Sequence, residues 1–255
     1  MVKENAFTIK QKKVKKQVDV LSVERKNNMD TKETILDIIK TNIKREGVDK
    51  LVEMLETSDY FTAPASTQYH SCGIGGLADH SLSVYKILKA KNTNFKLEYT
   101  DETIAIVGLF HDICKVDFYK KKEFEPATGP QLNYLKSLSG TDFAGEKLSK
   151  GTASKLIEQY KGTRPADSTT KDAPEWSVDD QLPLGHGEKS IFVLAKYLDL
   201  EKDEALAIRW HMGAFDPGIH FNYPSGFSFR QANEDCKLLA AVSTSDFESD
   251  KLLGI

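Results

Sequence analysis

Four of the chain's six histidines fall with two aspartates in the order His80, His111-Asp112, His186, His211, Asp246. Imidazole nitrogen and carboxylate oxygen are the donors that a catalytic divalent transition metal takes, so these residue types offer the chemistry of a metal cage. Spacing gives them a shared orientation. His80 lies three residues after Leu77, four before Val84 and seven before Ile87; His111 follows Ile104 and Val107, and Asp246 follows Leu239 and Val242, at seven and four residues. On helices, all three would fall on the apolar stripe that packs into a core. One inward histidine is more often a hydrogen-bonded core residue than a ligand, and a buried ionised aspartate is costly unless something positive meets it. Several such groups at once are satisfied most simply by a shared cation.

These side chains need helices to carry them. His80 and the His111-Asp112 pair are expected on separate helices, with Asp246 near the end of a helix running from about Gln231. His186, in Gly185-His186-Gly187, stands before a helix predicted from Glu188 to about Leu198. His211 stands at the exit of one predicted from Lys202 to Met212 and stopped by Gly213, where the helix dipole alone would also favour a histidine. Upstream, Ile35, Ile38, Ile39 and Ile43, then Leu51, Met54 and Leu55, predict helices over 31 to about 45 and 48–56, joined at Gly47. Asp30 or Thr31 would cap the first. Residues 61–76, rich in Thr, Ala, Ser, Pro and Gly, read as a loop leading to the His80 helix. His70 within it is a substrate contact or an ordinary loop residue.

Between Lys115 and Gln181 the helical pattern fails. Alternation from Val116 to Tyr119 and from Glu175 to Asp179 predicts two short strands, a small β-hairpin over the site mouth. The Gly- and Pro-containing stretch between them predicts an insertion at about 120–175 with one or two short helices, such as 153–160. Excursions of this length are lids or disordered segments.

The order His, His-Asp, distant Asp resembles the signature of the HD superfamily of metal-dependent phosphohydrolases, over about residues 73–248. That resemblance implies an all-α HD-domain helical bundle over 30–255 and, through His186 and His211, the two-metal version. One divalent cation (Mn, Fe, Co, Ni or Mg) would take His80, His111, Asp112 and Asp246; the other would take Asp112, His186 and His211. Metal-activated water would then cleave a phosphate ester, with Asp112 as the catalytic bridge. The stretch Gly-Gly-Leu-Ala-Asp-His-Ser-Leu-Ser-Val is also similar to the start of the HD domain in certain bacterial 3′-to-5′ exoribonucleases. It turns the expected substrate towards a phosphorylated small molecule such as a nucleotide or cyclic nucleotide, a short oligonucleotide, or an RNA end.

Lys115, one helical turn beyond His111, reads equally as a catalytic and substrate-binding cation on a phosphate oxygen or as a surface lysine at a helix end. Arg209 is a candidate phosphate clamp or an ion-paired residue. Asp79 and Glu188 are candidates to orient the imidazoles. Cys114 stands where the family often has Gly and reads as a packing residue. His211-Met212 and Asn222-Tyr223-Pro224 depart from the paired histidines and Gly-Tyr-Pro loop of the cyclic-di-GMP phosphodiesterases, and His220 reads as a surface loop residue. Two other readings stand beside the enzyme: a regulatory HD module that binds nucleotide without turnover, and a partner-binding protein that uses its arm and insertion.

Composition fits a soluble enzyme: 255 residues and 40% hydrophobic content suffice for a sizeable core. A net charge of −3 gives no general attraction to nucleic acid. Residues 1–29 nevertheless hold eight Lys or Arg against three acids, a net of 8 − 3 = +5, and read as a flexible basic arm. Three scattered cysteines form no Cys-x-x-Cys pair and point to a reducing compartment. With neither a membrane-length apolar run nor a secretory signal, the expectation is a cytoplasmic protein without a membrane partner.

Overall fold

The computed structural model describes residues 30–67, 71–143, 145–146, 148–161, 176–219 and 224–255. The basic arm, His70, His220, Asn222 and Tyr223 lie outside the described residues. The chain is mostly helical, with a single pair of short antiparallel strands among the described residues, and it divides into two compact units. No described helix is long and apolar enough to cross a membrane.

The larger unit comprises the described residues up to Phe118 together with Asp180–Ile255. Helix α1 (30–42) and helix α2 (Val48–Thr57) follow the isoleucine and leucine stripes, with Ile35, Ile39, Leu51 and Leu55 fully buried. Helix α1 stops short of the expected 45 because the chain finds other partners. The Lys44 backbone N–H donates to Glu102 Oε1 at 2.7 Å, and the Arg45 guanidinium grips the fully buried Glu204 carboxylate at 2.5 and 2.7 Å. Only the carboxylate of this pair is fully buried, so loss of the partly exposed Arg45 would leave Glu204 an unpaired charge inside the fold.

Helix α3 (Gly76–Asn94) packs along helix α4 (Asp101–Phe110). Thr100 caps α4, its hydroxyl accepting from the Thr103 N–H at 3.1 Å, and Asp101 and Glu102 complement the helix dipole in the first turn. From Thr103 to Phe110 every α4 residue is buried, so α4 is the central helix and is apolar on all sides. Ile104, Ile106 and Leu109 are each fully buried, worth about 1.5–3 kcal/mol apiece. The approach of α3 to α4 requires Gly108, where a Cβ would stand 2.7 Å from Tyr85 Cα. Helix α4 ends at Phe110, earlier than the sequence pattern suggests. His111 follows as its C-cap, and Asp112 opens a 3₁₀ turn, Ile113–Lys115.

Helix α7 (His186–Leu194) and helix α8 (Lys202–Trp210) pack together, and α8 also meets α4. Gly187 lets α7 approach α8: a Cβ there would come within 2.0 Å of the Arg209 carbonyl oxygen. The helix expected from about Gln231 is instead two. Helix α9 (Pro224–Asp235) ends at Cys236, whose extended backbone (φ −123°, ψ 99°) starts helix α10 (Lys237–Glu248). Cys236 is fully buried, with its thiol 3.5 Å from the Asp203 carbonyl, and this inward anchoring interrupts a periodicity that otherwise reads as continuous. Helix α10 packs on both α3 and α8.

The smaller unit is Tyr119–Asp179. Strands β1 (Tyr119–Lys121) and β2 (Trp176–Val178) pair antiparallel, Tyr119 opposite Val178. Val116 to Phe118, expected in a strand, precedes it: Val116 closes the 3₁₀ turn and Asp117 adopts φ 52°. Within the unit, helix α5 (Gly129–Ser139) begins with a Thr128/Gln131 capping box, and helix α6 (Lys150–Tyr160) begins with a Ser149 cap. Gln131 Nε2 ties the two starts together, donating to the Lys150 carbonyl at 3.1 Å and to Ser154 Oγ at 2.9 Å.

Candidate metal centre

The six residues of the His/Asp series converge inside the larger unit. His80 lies on α3, His111 and Asp112 at the end of α4, His186 at the start of α7, His211 as the C-cap of α8, and Asp246 on α10. His80, His111, Asp112 and His211 are buried.

Asp112 is the hub. Its Oδ1 faces His186 Nε2 at 2.6 Å and His211 Nε2 at 3.4 Å. Its Oδ2 faces His111 Nε2 at 3.7 Å, His80 Nε2 at 3.8 Å and Lys115 Nζ at 2.6 Å. Asp246 Oδ1 reaches His80 Nε2 at 3.1 Å, and the Nε2 atoms of His80 and His111 are 3.4 Å apart. Three overlapping sets of donors could each hold a metal ion: His80, His111 and Asp112; His111, His211 and Asp246; and Asp112, His186 and His211. Within each set the donor atoms lie within 4.8 Å of one another. The middle set links donors that the resemblance assigns to separate cations.

Each ring presents Nε2 to the centre and is held at Nδ1 from outside. His111 Nδ1 meets the Gly108 carbonyl at 3.1 Å, His211 Nδ1 the Ile208 carbonyl at 2.7 Å, and His80 Nδ1 the Ile255 oxygen at 3.0 Å. A carbonyl only accepts, so Nδ1 carries a proton, and in a neutral ring such as His111 the Nε2 lone pair points inward, the form in which imidazole binds a metal; His80 Nε2 also faces the Asp246 carboxylate, to which it donates. His186 differs: its Nδ1 meets the thiol of Cys114 at 3.2 Å. The expected carboxylate orienters do not serve this purpose. Asp79 accepts from the Thr31 hydroxyl at 2.6 Å, and Glu188 pairs with Arg209.

Electrostatics follow from this packing. Burial pushes the His111 pKa down to about 3, keeping the ring neutral. Burial acts the same way on His186, but the charge and hydrogen bond of Asp112, aided by Cys114, outweigh it and raise that pKa to about 10. For His80, burial is likewise overcome by Asp246 and Asp112, and the pKa is raised. Asp112 is held well below the ordinary carboxylate range, against burial, by Lys115, His111 and His186. Asp246 is lowered, again against burial, chiefly by its hydrogen bond with His80.

A metal fits this donor set. His211 Nε2 is buried, aimed into the cluster and without a hydrogen-bond partner among the described residues. An unmade hydrogen bond of this kind is expensive, and a cation at the cluster would accept the lone pair.

Lys115 is at the centre, its ammonium on Asp112 Oδ2 and its side chain 18% exposed, so it spans the buried carboxylate and the surface. Arg209 is held between two acids, donating to Asp216 Oδ2 at 2.6 Å and pairing with Glu188 Oε1. Its guanidinium is thus engaged in joining α7 to the turn after α8, which is the ion-paired alternative for this residue. Sequence reasoning missed the part played by Cys114, whose type and position in the His-Asp turn were its only signal.

No family model, curated protein or solved structure matches the chain.

Proposed function

We propose that the chain is an HD-type, two-metal phosphohydrolase that cleaves a phosphate ester of a nucleotide, a cyclic nucleotide or a short oligonucleotide, an RNA end included. The observation that carries this reading is the division of Asp112, with Oδ1 towards His186 and His211 and Oδ2 towards His80 and His111. With the carboxylate so divided, one cation would be held by His80, His111, Asp112 and Asp246 and a second by Asp112, His186 and His211. When bound, divalent ions such as Mn, Fe, Co, Ni or Mg supply Lewis acidity and bring the pKa of water near neutrality.

The chain's own residues account for the rest. The imidazoles, braced at Nδ1, keep their Nε2 atoms directed at the centre. Lys115 brings a positive charge that can hold a phosphate oxygen as negative charge grows in the transition state. The reading includes a cytoplasmic location, supported by free thiols at Cys72, Cys114 and Cys236.

The test is metal analysis of the purified protein, followed by phosphatase and phosphodiesterase assays with Mn²⁺, Co²⁺, Ni²⁺ and Mg²⁺. Expected are two metal equivalents and turnover that disappears in folded Asp112→Ala. Metal bound without turnover on any phosphate substrate would instead favour the regulatory nucleotide-binding module, and a folded protein that takes up no metal would overturn the reading.

A further inference from the structure

The four imidazoles are not held alike. Those of His80, His111 and His211 are buried, with side-chain exposures of 3%, 0% and 1%, and are braced by main-chain oxygens. A main-chain brace survives any substitution that leaves the fold intact. The His186 side chain is 29% exposed, and its Nδ1 contact is to a side chain, the Cys114 thiol at 3.2 Å. Cys114 is itself fixed: only 5% exposed, it lies in the turn that follows Asp112, and its backbone N–H donates to the buried Ser190 hydroxyl at 3.4 Å. Ser190 is on α7, one turn beyond His186. The Asp112 turn is thus stitched to the His186 helix at two points.

We propose that Cys114 is a positioning residue, its sulfur accepting the Nδ1–H of His186 so that Nε2 is directed at Asp112 Oδ1, and that filling of the second cation position depends on this contact. The inference rests on the two-metal reading above. Cys114 belongs to none of the donor sets around Asp112, so it acts through the imidazole and not as a ligand. A neutral imidazole has one donor nitrogen and one acceptor. With the sulfur as acceptor the proton stays on Nδ1; without it, either nitrogen can carry the proton, and the partly exposed ring can turn towards water. The first position, served by His80, His111, Asp112 and Asp246, has no such dependence. Loss of an outer partner of a metal-bound histidine typically weakens binding about 10–100-fold.

The experiment is Co²⁺ titration of the metal-free full chain, read by its visible spectrum and by metal stoichiometry, for the wild type, Cys114→Ala and Cys114→Ser. For Cys114→Ala the second equivalent is expected to bind about 10–100-fold more weakly with the first unchanged, and the serine hydroxyl, an acceptor, should restore most of the loss. Cys114→Val, which refills the volume without an acceptor, replaces the alanine variant should that fail to fold. Wild-type affinity for both equivalents in folded Cys114→Ala or Cys114→Val overturns the inference. So does a serine variant as weak as the alanine one, because packing and not the acceptor would then be responsible. A wild type that takes up no Co²⁺ fails at the two-metal reading itself, and this inference falls with it.

Discussion

His186 Nε2 lies 2.6 Å from Asp112 Oδ1 across 74 positions of sequence, a closer imidazole–carboxylate approach than any other in the described centre. The contact joins the first residue of α7 to the turn that ends α4, and it bears on acid–base behaviour, catalysis and packing.

Acid–base behaviour comes first. The folded pKa of His186, about 10, stands above its ordinary 6.5, so the contact stabilises the metal-free fold fully below the lower value and is lost as pH rises through the upper one. Chelated protein is therefore expected to lose thermal stability from about pH 7 to about pH 10 by more than His186→Ala does. Metal needs the neutral ring and must displace that proton. Affinity for the second equivalent should accordingly climb about tenfold per pH unit between about pH 6 and pH 9, and a pH-independent titration would count against this account.

Lys115 competes for the same carboxylate, with Nζ 2.6 Å from Oδ2. Replacing it with methionine removes a cation from Asp112 without removing a donor, so metal affinity should not fall. If the ammonium serves the transition state, kcat should drop about 10²-fold in Lys115→Met with both metal equivalents retained. Unchanged kcat would leave Lys115 only as the ion-pair partner of Asp112.

The approach of α7 to α8 depends on a missing side chain. In Gly187→Ala the new Cβ would meet the Arg209 carbonyl oxygen at 2.0 Å, and neither backbone can yield without moving its helix. His186 and His211 sit at the facing ends of those helices. The substitution should destabilise the protein by about 1–3 kcal/mol in denaturant unfolding and weaken the second metal equivalent before the first. Gly129→Ala, where nothing lies within 4 Å of the added carbon, is the control, expected within about 0.5 kcal/mol of wild type.

The sequence by itself determined which residues could meet. The stripes of Leu77 and Val84, of Ile104 and Val107, and of Leu239 and Val242 turned His80, His111 and Asp246 inward, because a 3.6-residue period fixes the face of a helix locally. The same local logic marked Gly47 and the α1 and α2 helices, whereas the stretch after Lys115, where the helical pattern reads as failing, still contains α5 and α6. Only the tertiary structure decided what those side chains face. Which oxygen of Asp112 meets which imidazole, the engagement of Arg209 by Glu188 and Asp216, the bracing of three rings by main-chain oxygens and of the fourth by Cys114, and the break at Cys236 all depend on neighbours distant along the chain. Periodicity records the side of a helix that is buried; it carries no record of the atom that arrives from another helix.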